Sequence, residues 1–391
     1  MNEIRKRSLE IYPQIVADRR ELHKSPELGL DLPATAAYIT KRLTEMGYNP
    51  KLCGPSGVMA TVGTGGKTVL LRADADALPM NEESGLPFSS QFPGRAHTCG
   101  HDLHAAMLLG AAQILKEQES SLKGTVKLMF QPGEEIFAGA KSMIEHGILE
   151  SPKVDIAFGA HVFALLPLGT VGYCPGDMMA SVNGFRITVT GIGCHGAQSY
   201  VGVDPINIAL HIHLALQELI SREIDSAAPA LITVGQLHAG SAANIIPQTA
   251  FMEGTIRTFS SSVQEFLVKR LKEVAESVAR TYRGTAMVEM IYDVPTNYVD
   301  KTVMLEMLDA VKLLHDEQII LSEISPLQGS EDFALISHKV PSVFFGLGAD
   351  FPGQDTVKAP HNPKVVFNEE VLSIGAAVYA NCAKHWLENN Q

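Results

Sequence analysis

A chain of 391 residues is longer than one hydrophobic core usually supports, and 46% hydrophobic residues are enough for two cores, so we expect two domains. The 31 basic and 43 acidic residues give a net charge of −12, which argues against nucleic acid partners because phosphate backbones need a basic surface. No apolar run reaches the length of about 18 residues that a membrane-spanning helix needs, so we expect no membrane segment.

The N-terminal segment and the cysteines indicate the compartment. The N-terminal segment mixes charged and apolar residues with helical spacing, and it lacks the apolar core and cleavage site of a secretory signal. The cysteines form an odd, scattered set rather than a disulfide framework, and they are Cys53, Cys99, Cys174, Cys194 and Cys382. We therefore predict a cytoplasmic protein.

The first half of the chain alternates helical and strand patterns. Apolar residues at helical spacing over 2–24 and 34–47 predict two opening helices. The later patterns predict, in order, strands at 57–63 and 67–76, a helix at 102–117, a strand at 125–132, a helix near 139–147 and a strand at 154–162. This alternation indicates an α/β layered domain with functional groups at the strand ends.

The pattern changes near residue 181. Strand, helix, two strands, helix and strand then follow in the βαββαβ order of a ferredoxin-like fold, up to about residue 294. Helix and strand alternation resumes after Pro295 and ends in an amphipathic helix at 368–388. We therefore predict a discontinuous α/β domain formed by 1–180 and 295–391, with a mixed sheet flanked by helices, and an inserted α+β domain at 181–294.

The first of three polar clusters is RADADALP at 72–79, which closes a predicted strand. Asp74 and Asp76 are two residues apart on an extended segment, so their side chains point the same way. They can address one site, or Asp76 can hold a ligand histidine in orientation. A solvated loop acid or a helix cap is the ordinary alternative, and it is the better interpretation of this cluster alone.

The second cluster is HTCGHDLH at 97–104, at the start of a predicted helix. Thiolate and imidazole groups both bind metals such as zinc, and the Cys-x-His spacing lets Cys99 and His101 reach one ion. His104 falls on the same helical face as His101 and can support it. A single histidine here is more often packed or capping, but four such groups within eight residues favour a site. A nucleophilic Cys99 is the competing interpretation, because a helix N-terminus lowers the thiol pKa.

The third cluster is FQPGEE at 130–135, at the end of another predicted strand. The side chains of Glu134 and Glu135 diverge, so one carboxylate can bind a metal while the other acts as a general base. An acidic first turn of a helix beginning near residue 136 is the ordinary alternative. His161 ends a predicted strand and His361 lies in a proline-flanked loop, and each alone is equally well explained as a structural residue.

Together these clusters supply one cysteine, three histidines and a carboxylate, which are enough ligands for two metal ions with a bridging group. Such a site lowers the pKa of a bound water and polarises a carbonyl, so hydrolysis is the expected reaction. A cysteine hydrolase that uses Cys99 with His101 or His195 remains the alternative chemistry.

These motifs, in this order, resemble the M20 metallopeptidase family, in its D branch of aminoacylases, hippurate hydrolases and related amidohydrolases. The resemblance covers essentially the whole chain. It rests on nine strings in family order. They are RRELHKSPEL at 19–28, RADADALP, HTCGHDLH, FQPGEE, HGAQSYVGVDPI at 195–206, NIIPQTAFMEGTIRTF at 244–259, GSEDFA at 329–334, VFFGLG at 343–348 and HNPK at 361–364.

The resemblance implies a di-metal catalytic domain with an inserted lid. Its ligands for two divalent ions (zinc, manganese, cobalt or nickel) would be Cys99 as the bridge, with His101, Glu135, His161 and His361. Glu134 would activate a metal-bound water. From the lid, His195 would be catalytic, Asn244 would contact the substrate, and Arg257 would pair with the carboxylate of the substrate.

The activity implied is hydrolysis of N-acyl-L-amino acids or short peptides with a free carboxylate, by an aminoacylase or carboxypeptidase. The lid would also form a homodimer or larger homo-oligomer. This sequence departs from the family where Leu103-His104-Ala105 replaces Gly-His-Thr, where Gly133 replaces an alanine, and near Ser199, where a proline is usual. None of these changes removes a ligand. A non-catalytic relative that binds a metal or ligand is the alternative function.

Overall fold

The computed structural model describes residues 1–351, 356–357 and 359–391. Its contacts divide the chain into two compact units. The first unit comprises Met1–Met178, Tyr298–Ser325 and Asp332–Gln391, and the second comprises Met179–Asn297 and Pro326–Glu331. Within the described residues, no helix combines the length and hydropathy that a membrane crossing requires.

Helices and strands are numbered in chain order. The helices are α1 Glu3–Glu10, α2 Tyr12–Lys24, α3 Pro33–Glu45, α4 His101–Glu117, α5 Gly139–Glu145, α6 Pro205–Glu218, α7 Ser261–Thr281, α8 Lys301–Lys312, α9 Ala334–Ser337 and α10 Val371–Asn389. The strands are β1 Lys51–Leu52, β2 Val58–Gly63, β3 Thr68–Asp74, β4 Thr125–Gln131, β5 Ile156–Phe163, β6 Thr170–Tyr173, β7 Gly176–Met179, β8 Ser181–Thr190, β9 Cys194–His195, β10 Ala230–Ala239, β11 Ile245–Ile246, β12 Thr249–Thr258, β13 Thr285–Val294, β14 Asn297–Val299, β15 Ile320–Glu323 and β16 Ser342–Gly348.

The opening of the chain differs from the prediction of a single first helix over 2–24. It forms two helices, α1 and α2, separated at Ile11. Pro13 lies in the first turn of α2. Because proline has no backbone N–H, it is tolerated in a first turn but breaks a helix interior, which explains the division.

An eight-stranded mixed sheet forms the first unit, in the order β1-β2-β4-β3-β5-β16-β6-β15. The central strands β4, β3, β5 and β16 are parallel neighbours, while β1, β2 and β6 pair antiparallel. Every residue of β3, β4 and β16 is buried. Helices α4 and α10 pack on each other and on β3 and β5. Helix α5 contacts β4, and helix α9 contacts β16. The predicted mixed sheet flanked by helices is confirmed.

The second unit contains a four-stranded antiparallel sheet in the order β10-β12-β8-β13. The chain order β8, α6, β10, β12, α7, β13 is the predicted βαββαβ order. Helices α6 and α7 pack on each other and on this sheet. Apolar residues alternate along β8, so that Phe185, Ile187 and Val189 are buried in the core of this unit.

Candidate active site

The carboxyl ends of three parallel strands bring the predicted clusters of the first unit together. Asp74 is the last residue of β3, and it lies opposite Gln131, the last residue of β4. On the other side β3 pairs with β5, which carries His161 near its end. Because parallel strands end at one edge of the sheet, the polar residues that follow them converge there.

His101 occupies the centre of this edge and is fully buried. Its Nδ1 lies 3.5 Å from Oδ1 of Asp76, and its Nε2 lies 3.7 Å from Oδ2 of Asp74. The two aspartates therefore address one histidine, as their spacing in the sequence suggested. The Nε2 atom of His101 is also 3.9 Å from Glu134 and 3.8 Å from Glu135.

Cys99 lies two residues before His101, which is the first residue of helix α4. Gly100, the residue before the helix, has a positive φ of 93°. A Cβ at this position would lie 2.5 Å from Cγ2 of Val162, so only glycine fits without a shift of strand β5. The glycine lets the chain turn tightly enough to bring both predicted ligands to the sheet edge.

The candidate ligand atoms form two groups that share Cys99. In one group, the ligand atoms of Cys99, His101 and His161 all lie within 4.8 Å of one another, and in the other those of Cys99, Glu135 and His361 do so. The Sγ of Cys99 is 3.4 Å from Nε2 of His161. His361 is half exposed, and its Nε2 is 3.5 Å from Oε1 of Glu135. Thiolate, imidazole and carboxylate groups at such separations suit two ions with a bridging sulfur.

Buried polar atoms without hydrogen bonds support the fit of a metal. Among the described residues, neither ring nitrogen of His101 has a hydrogen-bond partner, and neither does Oε1 of Glu135. Buried polar atoms are nearly always hydrogen-bonded, so a cluster of unsatisfied ones next to a thiol is what a metal-binding site requires. The donor set at these positions therefore fits divalent cations.

Charge and burial act in opposite directions on the ring of His101. Burial alone would lower its pKa, but the negative charge of Asp74, helped by Cys99 and Asp76, raises the pKa well above its usual value. At His161, burial and the nearby His104 hold the pKa well below the usual range. A divalent cation would replace the proton that the negative groups around His101 attract, and neutral His161 is already in the form that binds metals.

The neighbouring carboxylates Glu134 and Glu135 follow β4 and are held by Asp76. Oδ1 of Asp76 accepts the backbone N–H of Glu134 at 2.9 Å, and Oδ2 accepts that of Glu135 at 3.1 Å. Both glutamates precede α5, which begins at Gly139, so they are not the first turn of a helix. Burial raises the pKa of Glu135, although His101 and His361 oppose this effect.

The predicted substrate residues His195, Asn244 and Arg257 belong to the second unit. His195 pairs with Ile245 between the short strands β9 and β11, and Gly196 donates its N–H to the carbonyl of Asn244 at 2.8 Å. His195 and Asn244 are therefore close along these strands. Arg257 lies on the separate strand β12.

The sequence did not predict a role for the buried residues that support Asp74. Arg72 is fully buried in β3, and its guanidinium contacts Oδ2 of Asp74 at 2.8 Å, Oε1 of Gln131 at 2.9 Å and Oδ1 of Asp332 at 3.2 Å. Asp332 also accepts from Nε2 of Gln131 at 2.6 Å and from the N–H of Ala140 at 2.9 Å. A charged residue inside a strand buried on both faces was the available signal, because such a charge requires partners.

A second buried network lies behind α4. Asp102 accepts from Nε of Arg19 at 2.7 Å and contacts Nδ1 of His23 at 2.8 Å. Nε2 of His23 lies 3.0 Å from Glu82. Arg19 and His23 belong to the first string of the family resemblance, so this string anchors the helix that carries His101.

Comparison with known proteins decides the family. A model of peptidase family M20/M25/M40 matches residues 70–385. The chain belongs to this family. N-acetyl-L-cysteine deacetylase from Bacillus subtilis (strain 168) is 36% identical over 383 residues, which are 97% of this chain and 89% of that protein. IAA-amino acid hydrolase ILR1-like 4 from Arabidopsis thaliana is 37% identical over 386 residues, which are 97% of this chain and 87% of that protein.

A solved structure of the M20 family has the same fold. The Bacillus subtilis YXEP protein, a dinuclear metal-binding peptidase, matches with a TM-score of 0.81 and 33% identity over 97% of this chain and 99% of that chain. Membership in the M20 family confirms the predicted class, a metal-dependent amidohydrolase or carboxypeptidase. The roles of individual residues stay predictions.

Proposed function

We propose that this M20 protein hydrolyses the amide bond of N-acyl-L-amino acids, or of short peptides with a free carboxylate, and releases a carboxylic acid and an amino acid. The observation that carries the proposal is the pair of ligand groups that share Cys99, with the further carboxylate of Glu134 beside them. The two named relatives, a deacetylase of N-acetyl-L-cysteine and an IAA-amino acid hydrolase, support this substrate class.

Cys99 would be shared by two divalent ions, which can be zinc, manganese, cobalt or nickel. His101 and His161 would hold one ion together with Cys99, and Glu135 and His361 would hold the other. When bound, such ions polarise the scissile carbonyl and make a water molecule more acidic. The geometry that supports this assignment is the two groups of ligand atoms described above.

Glu134 would act as the general base. Its backbone N–H is fixed by Asp76, and its carboxylate lies 3.9 Å from Nε2 of His101, at the edge of the ligand groups. In this role Glu134 takes a proton from the attacking water and returns it to the nitrogen of the leaving amine. The carbon–nitrogen bond breaks as this proton arrives, so no charged amide anion has to leave.

The second unit would supply recognition of the substrate. Arg257 carries a planar guanidinium that can bind a carboxylate through two parallel hydrogen bonds. Asn244 would bind the substrate beside it, and His195 would donate a hydrogen bond to the tetrahedral oxyanion. We also propose that 181–294 is a lid domain and the contact of a homodimer. The five cysteines are free thiols, which suits the reducing cytoplasm.

Hydrolysis of a substrate panel tests the function. The test measures the release of free amino acid from acetyl, benzoyl and longer-acyl amino acids before chelation, after chelation and after each candidate ion is added back. We expect chelation to abolish hydrolysis and a divalent ion to restore it. A protein that binds ions but stays inactive on the whole panel would instead favour a non-catalytic relative.

Thiol alkylation separates the metal mechanism from a cysteine hydrolase. Burial raises the pKa of the Cys99 thiol in the metal-free protein, so Cys99 there is not the thiolate that nucleophilic catalysis needs. We expect the metal-loaded protein to resist alkylation at Cys99 and to keep its activity. Rapid irreversible inactivation by alkylation, together with insensitivity to chelators, would support the cysteine mechanism.

A further inference from the structure

His104 makes two hydrogen bonds within the first unit, and neither of them is to a proposed metal ligand. Its Nδ1 lies 2.5 Å from Oδ1 of Asp74, at the end of β3. Its Nε2 accepts the backbone N–H of Val162 at 2.9 Å, near the end of β5. His104 is fully buried, and its two hydrogen bonds join the ends of β3 and β5.

These two bonds fix the tautomer of the imidazole. Because Nε2 accepts from a backbone N–H, it carries the lone pair and no proton. Nδ1 must then carry the proton that it donates to the carboxylate of Asp74. Asp74 is itself held by the guanidinium of Arg72 at 2.8 Å, so the ring of His104 has one orientation available.

The backbone of Val162 connects His104 to His161 through two successive peptide units, because its N–H and its carbonyl group lie on opposite sides of its Cα. The carbonyl oxygen of Val162 lies 2.7 Å from Nδ1 of His161, and its N–H is the group that donates to His104. Donation from Nδ1 to this carbonyl leaves the lone pair of His161 on Nε2, which is the atom 3.4 Å from Sγ of Cys99. The backbone conformation of Val162, which sets the direction of this carbonyl group, therefore determines which nitrogen of His161 faces the ligand group.

Pairing with β3 does not hold the N–H of Val162. The register between β3 and β5 ends at Arg72 opposite Gly159, before Val162 is reached. A buried N–H beyond the end of the neighbouring strand needs another acceptor, and Nε2 of His104 supplies it. The side chain of Val162 is also confined by Gly100, at whose position a Cβ would be 2.5 Å away.

We propose that His104 is a positioning residue for the metal site, which orients His161 through the backbone of Val162. This inference rests on the proposed function, since it takes His161 as a ligand. The hydrogen bond from Val162 to His104 is the contact that affects metal binding. The hydrogen bond to Asp74 holds the imidazole ring in place. A purely structural His104 would stabilise the fold through both contacts and leave metal affinity unchanged.

Two substitutions separate the contacts of His104. In H104Q the amide oxygen can occupy the place of Nε2 and accept from Val162, whereas in H104N the amide nitrogen can occupy the place of Nδ1 and donate to Asp74. Y379F is the matched control, because the hydroxyl of Tyr379 accepts the N–H of Ala160 at 3.1 Å on the same strand, two residues before Val162. This control removes that buried hydrogen bond to β5 and a second one from the hydroxyl to the carbonyl oxygen of Arg72 in β3, and it leaves the connection between His104 and His161 intact.

The experiment titrates chelator-treated protein with Zn²⁺ by calorimetry and with Co²⁺ by absorption spectroscopy, and it measures the thermal midpoint of each metal-free variant. We expect H104N to bind one of the two ions about 10- to 100-fold more weakly and to change the thiolate-to-cobalt absorption band. H104Q should bind both ions with nearly wild-type affinity. Y379F should unfold at a lower temperature yet bind both ions normally.

Three outcomes would overturn the inference. If wild-type protein binds two ions and H104N binds both with equal affinity, His104 is structural and the proposed function is unaffected. If H104Q is folded and loses an ion, the contact with Val162 is not what orients His161. This result can be obtained even if H104N does not fold. If wild-type protein binds neither ion, the ligand set of the proposed function fails as well.

Discussion

The guanidinium of Arg257 is held in place by hydrogen bonds within the second unit. Its Nη1 donates to the carbonyl oxygen of Gln328 at 3.1 Å and to Oγ of Ser330 at 2.9 Å, both within the second unit. Burial lowers the pKa of its guanidinium, which nevertheless stays charged at neutral pH. Among the residues that the structure describes, no carboxylate accepts a hydrogen bond from Arg257, so this guanidinium is suited to bind the carboxylate of a substrate.

We therefore predict that R257A weakens catalysis on substrates with a free carboxylate. The loss of a charge-assisted, bidentate contact should lower kcat/KM by about 10- to 100-fold, mainly through KM, because such bonds contribute roughly 1.5–3 kcal/mol. The measurement compares N-acyl amino acids with their uncharged amides. S330A, which removes one of the two acceptors, is the control and should have a smaller effect. An equal loss on acids and amides would argue against carboxylate recognition.

The candidate metal ligands could be predicted from the sequence more readily than the residues that hold them in place. The short motif around His101 predicts a ligand, whereas the sequence alone favours an ordinary loop or capping role for Asp74 and Asp76; the structure brings all three together. Asp332 contacts Arg72 from a position 260 residues away in the chain. No local pattern encodes such a pairing, so only the requirement that a buried charge has a partner pointed toward it.

At the scale of elements, an ion pair ties α1 to the segment after α8. Nε of Arg5 lies 2.6 Å from Oδ2 of Asp316, and the two side chains are only 2% and 5% exposed. Arg5 also donates to Ser8 and Ser373, the latter on α10. Burial would raise the pKa of Asp316, but the hydrogen bond from Arg5 lowers it below the usual value.

We predict that D316N destabilises the first unit at neutral pH by about 3 kcal/mol, because it leaves a buried guanidinium without its counter-charge. The pKa of Asp316 is lower in the folded than in the unfolded protein, so its contribution is complete above the unfolded value of about 4 and is lost as the pH falls through the folded value. The difference between wild type and variant should therefore shrink below about pH 4.

Urea unfolding of metal-free protein from neutral to acidic pH measures this effect. D309N is the matched control, since Asp309 pairs with Lys312 at the surface, where both side chains are more than 60% exposed. Its midpoint should remain close to that of wild type. If D316N and D309N had the same urea midpoint at every pH, the buried ion pair would not contribute to stability.

The kinds of elements were largely predictable, whereas some of their limits were not. The long helix α4 and the apolar strands β3 and β4 lie within a few residues of the predicted ranges. The division between α1 and α2 was missed, because apolar spacing continues through Ile11 and only Pro13 marks a new first turn. The edge strand β15 was not predicted either; it has only four residues, none of them buried.

At the scale of the whole molecule, the site depends on residues that are far apart in the chain. The ligand groups of the first unit combine the start of α4, the segment after β4, the end of β5 and a loop before α10. The order of the motifs indicated the family, and the M20 match over residues 70–385 confirms it. The role of the inserted domain as a lid and dimer contact stays a prediction, since sequence patterns describe elements and not their assembly.

The division of labour between Glu134 and Glu135 tests the account most directly. The measurement combines elemental analysis of bound metal with kcat on N-acyl amino acids for E134Q and for its matched neighbour E135Q. We predict that E134Q keeps two ions per chain and loses kcat by roughly 10²- to 10⁴-fold, as expected for a lost general base. E135Q should lose an ion. An E134Q protein with near-normal kcat, or one that loses its metal as E135Q does, would contradict the assignment.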